Sequence, residues 1–196
     1  MKWMQDTNCP MAYYAISLQK RGGSMGDAIE PRFCNPIELG WQKAVTLKRD
    51  YRGRDALEQI VNGPYREMVT LEWNVDDIMD IYRSEYEPGE PYATLEGPED
   101  YLDTGAFEYR ADEVLADGKT VGMSTGRIIS WYYRRMISLA TIDPEYAKIG
   151  TEVVVLWGDP GTRQKEIHAT VTRYPYHEEG RNDTVDVSKI PSGIRK

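Results

Sequence analysis

Cysteine, histidine and phenylalanine are scarce in this chain of 196 residues, which contains two of each. Cys9 and Cys34 are far apart and form no Cys-x-x-Cys pair, and no acidic residue stands at ligand-like spacing from His168 or His177. Protein metal sites are usually built from closely spaced sets of such side chains. The sequence therefore predicts no metal site and two reduced thiols, with His168 on the protein surface.

Long apolar runs and concentrated positive charge are also missing. No apolar run approaches the roughly 20 residues that span a bilayer, and residues 1–10 lack the apolar core of a signal peptide. The net charge is −8 and the 24 basic residues are scattered, whereas nucleic acid is bound by clustered lysine and arginine. These absences predict a cytoplasmic protein that contacts neither a membrane nor nucleic acid.

Two common functional motifs are absent as well. The chain has no Gly-x-Ser-x-Gly nucleophile elbow, and the stretch 158–163 (GDPGTR) lacks the spacing of a phosphate-binding loop. Because this stretch lies between two predicted strands, we interpret it as a hairpin turn. The sequence assigns no catalytic residue.

Alternating apolar residues in the second half of the chain predict short strands at regular spacing. The predicted strands lie at 112–116, 120–125, 136–142, 151–157 and 166–173. Ile167, Ala169 and Val171 are predicted to point inward, and the run 151–157 (TEVVVLW) to be buried on both faces. The Asp-Gly pair at 117–118 is typical of a tight hairpin turn. This pattern favours an antiparallel barrel or sandwich.

The first half of the chain mixes helices and strands. The predicted elements are a strand at 44–48, a helix at 53–62, a strand at 66–73, and a helix that begins after the N-cap Asn74 and ends near residue 82. The stretch 85–104 is rich in proline and acidic residues, so we expect a loop that faces solvent and stays outside the core. Residues after Arg181 are predicted to fray.

Two stretches, 35–58 and 121–158, resemble the C-terminal part of the glycine-cleavage T-protein (aminomethyltransferase) superfamily. Residues 50–57 (DYRGRDAL) resemble its Asp-Phe-Ile-Gly-Arg-x-Ala-Leu signature, with Tyr51 and Arg52 in place of two apolar residues. Within the superfamily, the similarity is greatest to the tetrahydrofolate-dependent aromatic O-demethylases that act on vanillate- or syringate-type methoxy compounds. The resemblance extends from about residue 12 to about residue 180.

The resemblance implies an α+β, mainly β fold that ends in an antiparallel β-barrel or sandwich. Residues 1–64 would be a partial α/β remnant of the folate-binding domain together with its connecting helix. Gly53 would permit the sharp change of chain direction at the start of this helix. Residues 65–196 would form the barrel domain with the acidic loop 85–104. In that family, the groups that hold folate and the methoxy substrate lie largely ahead of the matched part. We therefore expect a protein that is inactive alone.

The resemblance also implies the family chemistry, in which a one-carbon unit moves to N5 of tetrahydrofolate. The only cluster of basic and aromatic residues lies at 131–135 (WYYRR). Tyr132 could stack on a flat ring, and Arg134 and Arg135 could pair with a carboxylate. The alternative is that the aromatic side chains pack against the barrel and the arginines pair with the acidic loop 85–104.

Trp41 is the second candidate contact for tetrahydrofolate. It follows a Pro-x-Glu turn at 36–38, and in T-proteins a tryptophan at the comparable place lies beside the folate pocket. The alternative is a core or hinge residue, because an indole needs no ligand to be buried.

Three hypotheses for the function follow. The first is a C-terminal subunit that completes a tetrahydrofolate-dependent transferase by docking onto a separate N-terminal half, through apolar surface exposed on residues 1–34. The second is a stand-alone, non-catalytic binding or scaffolding module with a closed N-terminal region. The third is an independently active enzyme, built as a homo-oligomer. It would use Tyr13, Tyr14, Trp41 and the cluster 131–135 on a methoxylated aromatic or another methyl donor.

Overall fold

The computed structural model describes residues 20–28, 30–95, 108–177 and 186–189. Its strands are, in chain order, β1 Lys20–Gly22, β2 Glu67–Trp73, β3 Glu108–Arg110, β4 Asp112–Ala116, β5 Lys119–Ser130, β6 Arg135–Ile142, β7 Glu152–Trp157 and β8 Lys165–Thr172. Its helices are α1 Arg54–Val61 and α2 Val75–Ser84, with short 3-10 helices at Glu30–Arg32, Gln42–Ala44 and Val187–Lys189. Neither of the two described α-helices is long and apolar enough to cross a membrane.

Six of the strands form a closed antiparallel barrel in the order β2-β6-β5-β4-β7-β8. β1 and β3 pair in parallel as a separate two-stranded sheet. The predicted mainly β class with a C-terminal antiparallel barrel is therefore confirmed. The division of the chain into a folate-domain remnant, residues 1–64, and a barrel domain stays a prediction, and residues 1–19 lie outside the described part.

Two hairpin turns occur where the sequence predicts them. Asp117 and Gly118 join β4 to β5 with φ angles of 50° and 72°, and positive φ at both positions is what a two-residue hairpin of this kind requires. The stretch 158–163 joins β7 to its antiparallel neighbour β8. β5 is longer than predicted, because it continues past an irregularity between Thr125 and Ile128 into a second hairpin with β6.

The interior of the barrel is filled by side chains from alternate residues. Trp73 and Trp157 meet edge to face with ring centroids 5.6 Å apart, and Trp73 Nε1 donates a hydrogen bond to Ser138 Oγ at 2.9 Å. The interior of a barrel of about eight strands is just wide enough for side chains to fill or for one small ligand, and a barrel of six strands is narrower. The core residues contributed by β2, β7 and β8 are Val69, Leu71, Trp73, Val153, Val155, Trp157, Ile167, Ala169 and Val171.

The inward direction of Ile167, Ala169 and Val171 is thus confirmed. The prediction that residues 151–157 are buried on both faces is wrong, because Val154 and Leu156 are only half-buried. A closed barrel has one interior face, and the apolar side chains on the other face lie on its outer wall.

Residues 92–95 pack onto the core instead of facing solvent. Trp157 Nε1 donates a hydrogen bond to the carbonyl oxygen of Ala93 at 2.8 Å, and Leu95 is 2% exposed. The prediction that 85–104 stays outside the core is wrong for this part, because a buried indole N–H needs an acceptor that the barrel strands do not supply. Residues 96–104 lie outside the described part.

The helix predictions hold and one strand prediction fails. Asn74 Oδ1 accepts hydrogen bonds from the amides of Asp76 and Asp77, as expected of an N-cap. Gly53 has a φ of 89° at the start of α1, which few other residues adopt without strain. The predicted strand at 44–48 is wrong: residue 44 ends the 3-10 helix Gln42–Ala44, and residues 47–48 form a turn. The carbonyl of Leu47 in this turn accepts a hydrogen bond from Arg54 Nε.

Arg66 holds the segment that precedes the barrel against the start of β2. Its guanidinium donates hydrogen bonds to Glu38 Oε1 at 2.8 Å, to the carbonyl of Pro31 at 3.0 Å and to the carbonyl of Phe33 at 2.7 Å. Glu38 is 8% exposed, and its other oxygen accepts from the amide of Asn35 at 2.9 Å. The guanidinium of Arg66 therefore fixes two backbone carbonyls and one carboxylate of residues 31–38.

Asp112 anchors a second segment, residues 22–25, on β4. Its Oδ1 accepts a hydrogen bond from the amide of Ser24 at 3.0 Å, and Ser24 Oγ accepts one from the amide of Glu113 at 2.8 Å. Burial raises the pKa of Asp112 to about 6, although the charge of Arg110 and the Ser24 amide act in the opposite direction. The folded protein therefore holds a proton on this carboxyl at a pH where the unfolded chain does not.

We expect the substitution Arg66→Ala to lower the free energy of unfolding by about 2–3 kcal/mol, because it leaves Glu38 without its cation. The loss is below the roughly 3–5 kcal/mol of a fully buried pair, since the Arg66 side chain is 22% exposed. Urea unfolding measures it. Arg83→Ala, which removes a surface pair with Asp80, is the control and should stay within about 0.5 kcal/mol. Equal losses in the two variants would contradict the anchoring role.

The substitution Asp112→Asn should change how stability depends on pH. Between about pH 4, near the ordinary aspartate pKa, and about pH 6, the wild-type folded state binds a proton that the unfolded state lacks. The contribution of Asp112 to stability thus falls as pH rises through this window. Measured by urea unfolding, the variant should gain up to about 3 kcal/mol relative to wild type between pH 4 and pH 7. A difference between the two proteins that is the same at both pH values would contradict this expectation.

Candidate functional site

The hairpin between β5 and β6 exposes aromatic and basic side chains at its tip. Trp131 is 83% exposed and Tyr132 is 58% exposed, so the expectation that these rings pack against the barrel is wrong. The turn closes at Arg134, which has a φ of 55°. The ring of Tyr132 meets that of Tyr133 edge to face, with centroids 4.8 Å apart.

Glu72 of β2 fixes the base of this hairpin. Its Oε1 accepts a hydrogen bond from Arg135 Nε at 2.7 Å and its Oε2 accepts one from the Tyr176 hydroxyl at 2.9 Å. Burial and the hydrogen bond to Glu72 raise the pKa of Tyr176 to about 12, so this phenol stays protonated and remains a donor. The expectation that the arginines pair with the acidic loop is wrong for Arg135, whose partner is Glu72.

The residues 174–177 pack against the other side of the hairpin. The ring of Tyr133 lies edge to face against that of Tyr176, with centroids 4.9 Å apart, and the Tyr133 hydroxyl contacts His177 Nδ1. Tyr133 is therefore held between two side chains that follow β8, whereas Tyr132 faces outward beside it. The hairpin tip is a fixed surface.

Trp41 lies at the opposite end of β2. It is 58% exposed, so a core position is wrong. It lines an open groove of about 470 Å³ together with Tyr65, Met68 and Tyr174. The turn that precedes Trp41 is fixed by Asn35. Its Oδ1 accepts hydrogen bonds from the backbone amides of Ile37 and Glu38, two and three residues later. The indole is thus displayed on the outer wall of the barrel.

The structure brings three of the four predicted cofactor residues together and leaves the fourth apart. Tyr132, Arg134 and Arg135 share one hairpin, which meets β2 at Glu72. The groove of Trp41 meets β2 at Glu67 and Met68, at least four residues from Glu72, or roughly 13 Å along a strand. One flat ring cannot contact both groups. A ligand that reached both would have to extend along β2, and the role of all four residues as cofactor contacts stays a prediction.

Sequence reasoning missed the residues that connect these two groups. Tyr174 lines the groove of Trp41, and Tyr176 contacts both the hairpin and Glu72. Their position directly after a predicted strand was the signal available in the sequence, but the chain bends at Pro175, so strand alternation does not say which way the two rings point. The partners on β2 and β6 could not be read from it, because they depend on strand pairing.

No group of three or more His, Cys, Asp or Glu side chains that could hold a metal ion occurs among the described residues. The predicted surface position of His168 is confirmed, since its side chain is 64% exposed. Its Nδ1 lies 2.8 Å from Asp77 Oδ2, so this histidine contacts the first turn of α2.

No protein-family model matches the chain. It is 47% identical over 175 residues to sesamin methylene transferase from a Sinomonas species, in a match that covers 86% of this chain and 39% of that protein. It is 35% identical over 186 residues to syringate O-demethylase from a Sphingobium species, with 88% and 39% covered. It is 29% identical over 150 residues to aminomethyltransferase from Oceanobacillus iheyensis, with 75% and 31% covered.

The matches cover only part of the length of each relative. The chain spans about two fifths of the length of the first two relatives and about one third of the third. The stretches that carry the resemblance in the sequence lie within these matches, so the expected ancestry is confirmed. The chain is homologous to the C-terminal part of the glycine-cleavage T-protein (aminomethyltransferase) superfamily.

Proposed function

We propose that this chain is the C-terminal part of a tetrahydrofolate-dependent one-carbon transferase and that it needs the N-terminal part of such an enzyme for activity. The observation that carries this proposal is the similarity to two relatives named for the transfer of a methylene group and the removal of a methyl group from oxygen. Both matches cover more than four fifths of this chain. The methyl or methylene donor would be a methoxylated or methylenedioxy-bridged aromatic compound.

The filled barrel supports the need for a second part. Large side chains, among them Trp73 and Trp157, occupy the interior, so a cofactor would have to bind on the outer wall. Trp41 and the hairpin tip both lie on this wall and are open to solvent. Small-molecule sites usually bury more than about 70% of their ligand. A second polypeptide surface would enclose a cofactor placed there, which supports the proposed need for the N-terminal part.

The chemistry of the hairpin suits the acidic end of tetrahydrofolate. When bound, this cofactor accepts the one-carbon unit. Arg134 would supply a positive charge for a carboxylate, and the exposed ring of Tyr132 would lie against a flat group. Arg135 is already paired with Glu72, so we assign it to positioning of the hairpin. These residues would bind and orient the cofactor, and the groups that move protons would come from the N-terminal part.

Isothermal titration with tetrahydrofolate tests the requirement for a second part. The probe partner is the portion of sesamin methylene transferase that this chain does not match, co-expressed with this chain. We expect no heat of binding with this chain alone and saturable binding with the co-purified pair. Binding by the chain alone would contradict the requirement and favour an independently active enzyme. Absence of binding in both samples would favour a non-catalytic module.

The substitution Arg134→Ala tests the role of the hairpin in the same co-purified pair. We expect the affinity for tetrahydrofolate to fall about tenfold, because a charge-assisted hydrogen bond contributes roughly 1.5 kcal/mol or more. Arg83→Ala removes an arginine from the exposed surface of α2 and is the matched control, with affinity unchanged. If Arg134→Ala binds tetrahydrofolate with wild-type affinity, the hairpin is not part of the binding site. That result would not bear on the requirement for a second part.

A further inference from the structure

Apolar side chains form a continuous strip on the outer face of β5 and β6. Ile128 is 59% exposed and is paired in register with Ile137, and Leu139 is 37% exposed two residues further along the same strand. Because alternate residues of a strand share one face, these three side chains lie on one side of the sheet. At one end, the pair Ser130 and Arg135 separates these side chains from the hairpin tip, where Trp131 is 83% exposed.

An open apolar groove lies at the other end of the strip. It has a volume of about 410 Å³, and its apolar walls come from Phe33, Leu39, Met68, Met123 and Leu139. Phe33 is 72% exposed although the backbone beside it is fixed, since its carbonyl accepts a hydrogen bond from Arg66. We call Phe33, Ile128, Trp131, Ile137 and Leu139 the outer apolar strip.

The strip differs from apolar residues that are exposed singly, although Trp41 and Tyr174 line a second groove and Val75 and Met79 lie one turn apart on α2. Tyr86 and Ile149 are also well exposed, but they stand alone on separate loops. Single exposed apolar residues are common on proteins, whereas a contiguous apolar patch marks a surface that packs against something. The outer apolar strip therefore has the character of an interface.

We infer that the outer apolar strip is the surface on which the N-terminal part of the one-carbon transferase packs. This inference rests on the function proposed above. The relatives are about two and a half times as long as the matched part. Because the interior of the barrel is filled, the rest of such a chain can contact the barrel only from outside. The groove is lined on one side by Arg32, Phe33, Cys34 and Leu39, which precede the barrel strands in the chain.

The anchored rim is a second reason to place the N-terminal part here. Arg66 fixes the carbonyls of Pro31 and Phe33 and the carboxylate of Glu38. The edge of the groove is thereby held in one position on the barrel. Interfaces of permanent complexes resemble a protein core that has been cut in half, and the outer apolar strip presents the apolar side chains that such an interface needs.

Association between this chain and the co-expressed N-terminal part of sesamin methylene transferase tests the inference, measured by sedimentation velocity without folate. Ile128→Glu and Phe33→Glu should each weaken association at least tenfold, because either places an unpaired carboxylate in the interface. Ile149→Glu is the matched control, since Ile149 is 65% exposed and lies in the loop between β6 and β7. Urea unfolding confirms that the variants stay folded.

Each outcome bears on the inference. Loss of association in Ile128→Glu and Phe33→Glu, with Ile149→Glu unaffected, supports it. Unchanged association in both strip variants overturns it, and so does concentration-dependent self-association of the wild-type chain that Ile128→Glu abolishes, because the occupant is then a second copy. Association that depends on the strip but binds no tetrahydrofolate supports the interface and rejects the proposed function, so the two failures can be told apart.

Discussion

The guanidinium group of Arg66 determines how the chain before the barrel is arranged. In its described residues this segment has little regular structure, namely β1, two 3-10 helices and α1, and it buries few apolar residues. Its position depends on the hydrogen bonds from Arg66 to Glu38 and to two carbonyls. Because Arg66 immediately precedes β2, the segment is fixed to the barrel strand that forms pairs with both β6 and β8. The positions of Trp41 and Phe33, and of the two separate grooves that they line, depend on this arrangement.

The barrel could be predicted from the sequence because its signal is local. Alternation in β8 and the Asp-Gly turn after β4 depend only on neighbouring residues, and both agree with the structure. The errors occur where a distant residue decides the outcome. Leu95 is buried because Trp157, more than sixty residues later, needs a carbonyl acceptor near it. Residues 44–48 have the composition of a strand but form turns, since a strand exists only if another strand lies beside it.

The candidate site shows the same division between local and distant information. The cluster at 131–135 is visible in the sequence, and its exposure follows from its place at the tip of a hairpin. The connection through Glu72, Tyr176 and His177 is not visible, because β2 and the end of β8 come together only when the barrel closes. The resemblance to one-carbon transferases supplied the ancestry, and the structure corrected what the local pattern alone suggested for Trp41 and Arg135.

Closure of the sheet restricts how another polypeptide can attach to this one. Each of the six barrel strands has a hydrogen-bonded neighbour on both sides, so the barrel presents no open edge that an incoming strand could extend. Contacts with another protein must then be made through side chains on the outer wall. Such contacts depend on the shape and chemistry of the partner's side chains and not on hydrogen bonds to its backbone. A protein that recognises this barrel must accordingly present side chains that complement the outer wall, because it cannot add a strand to the sheet.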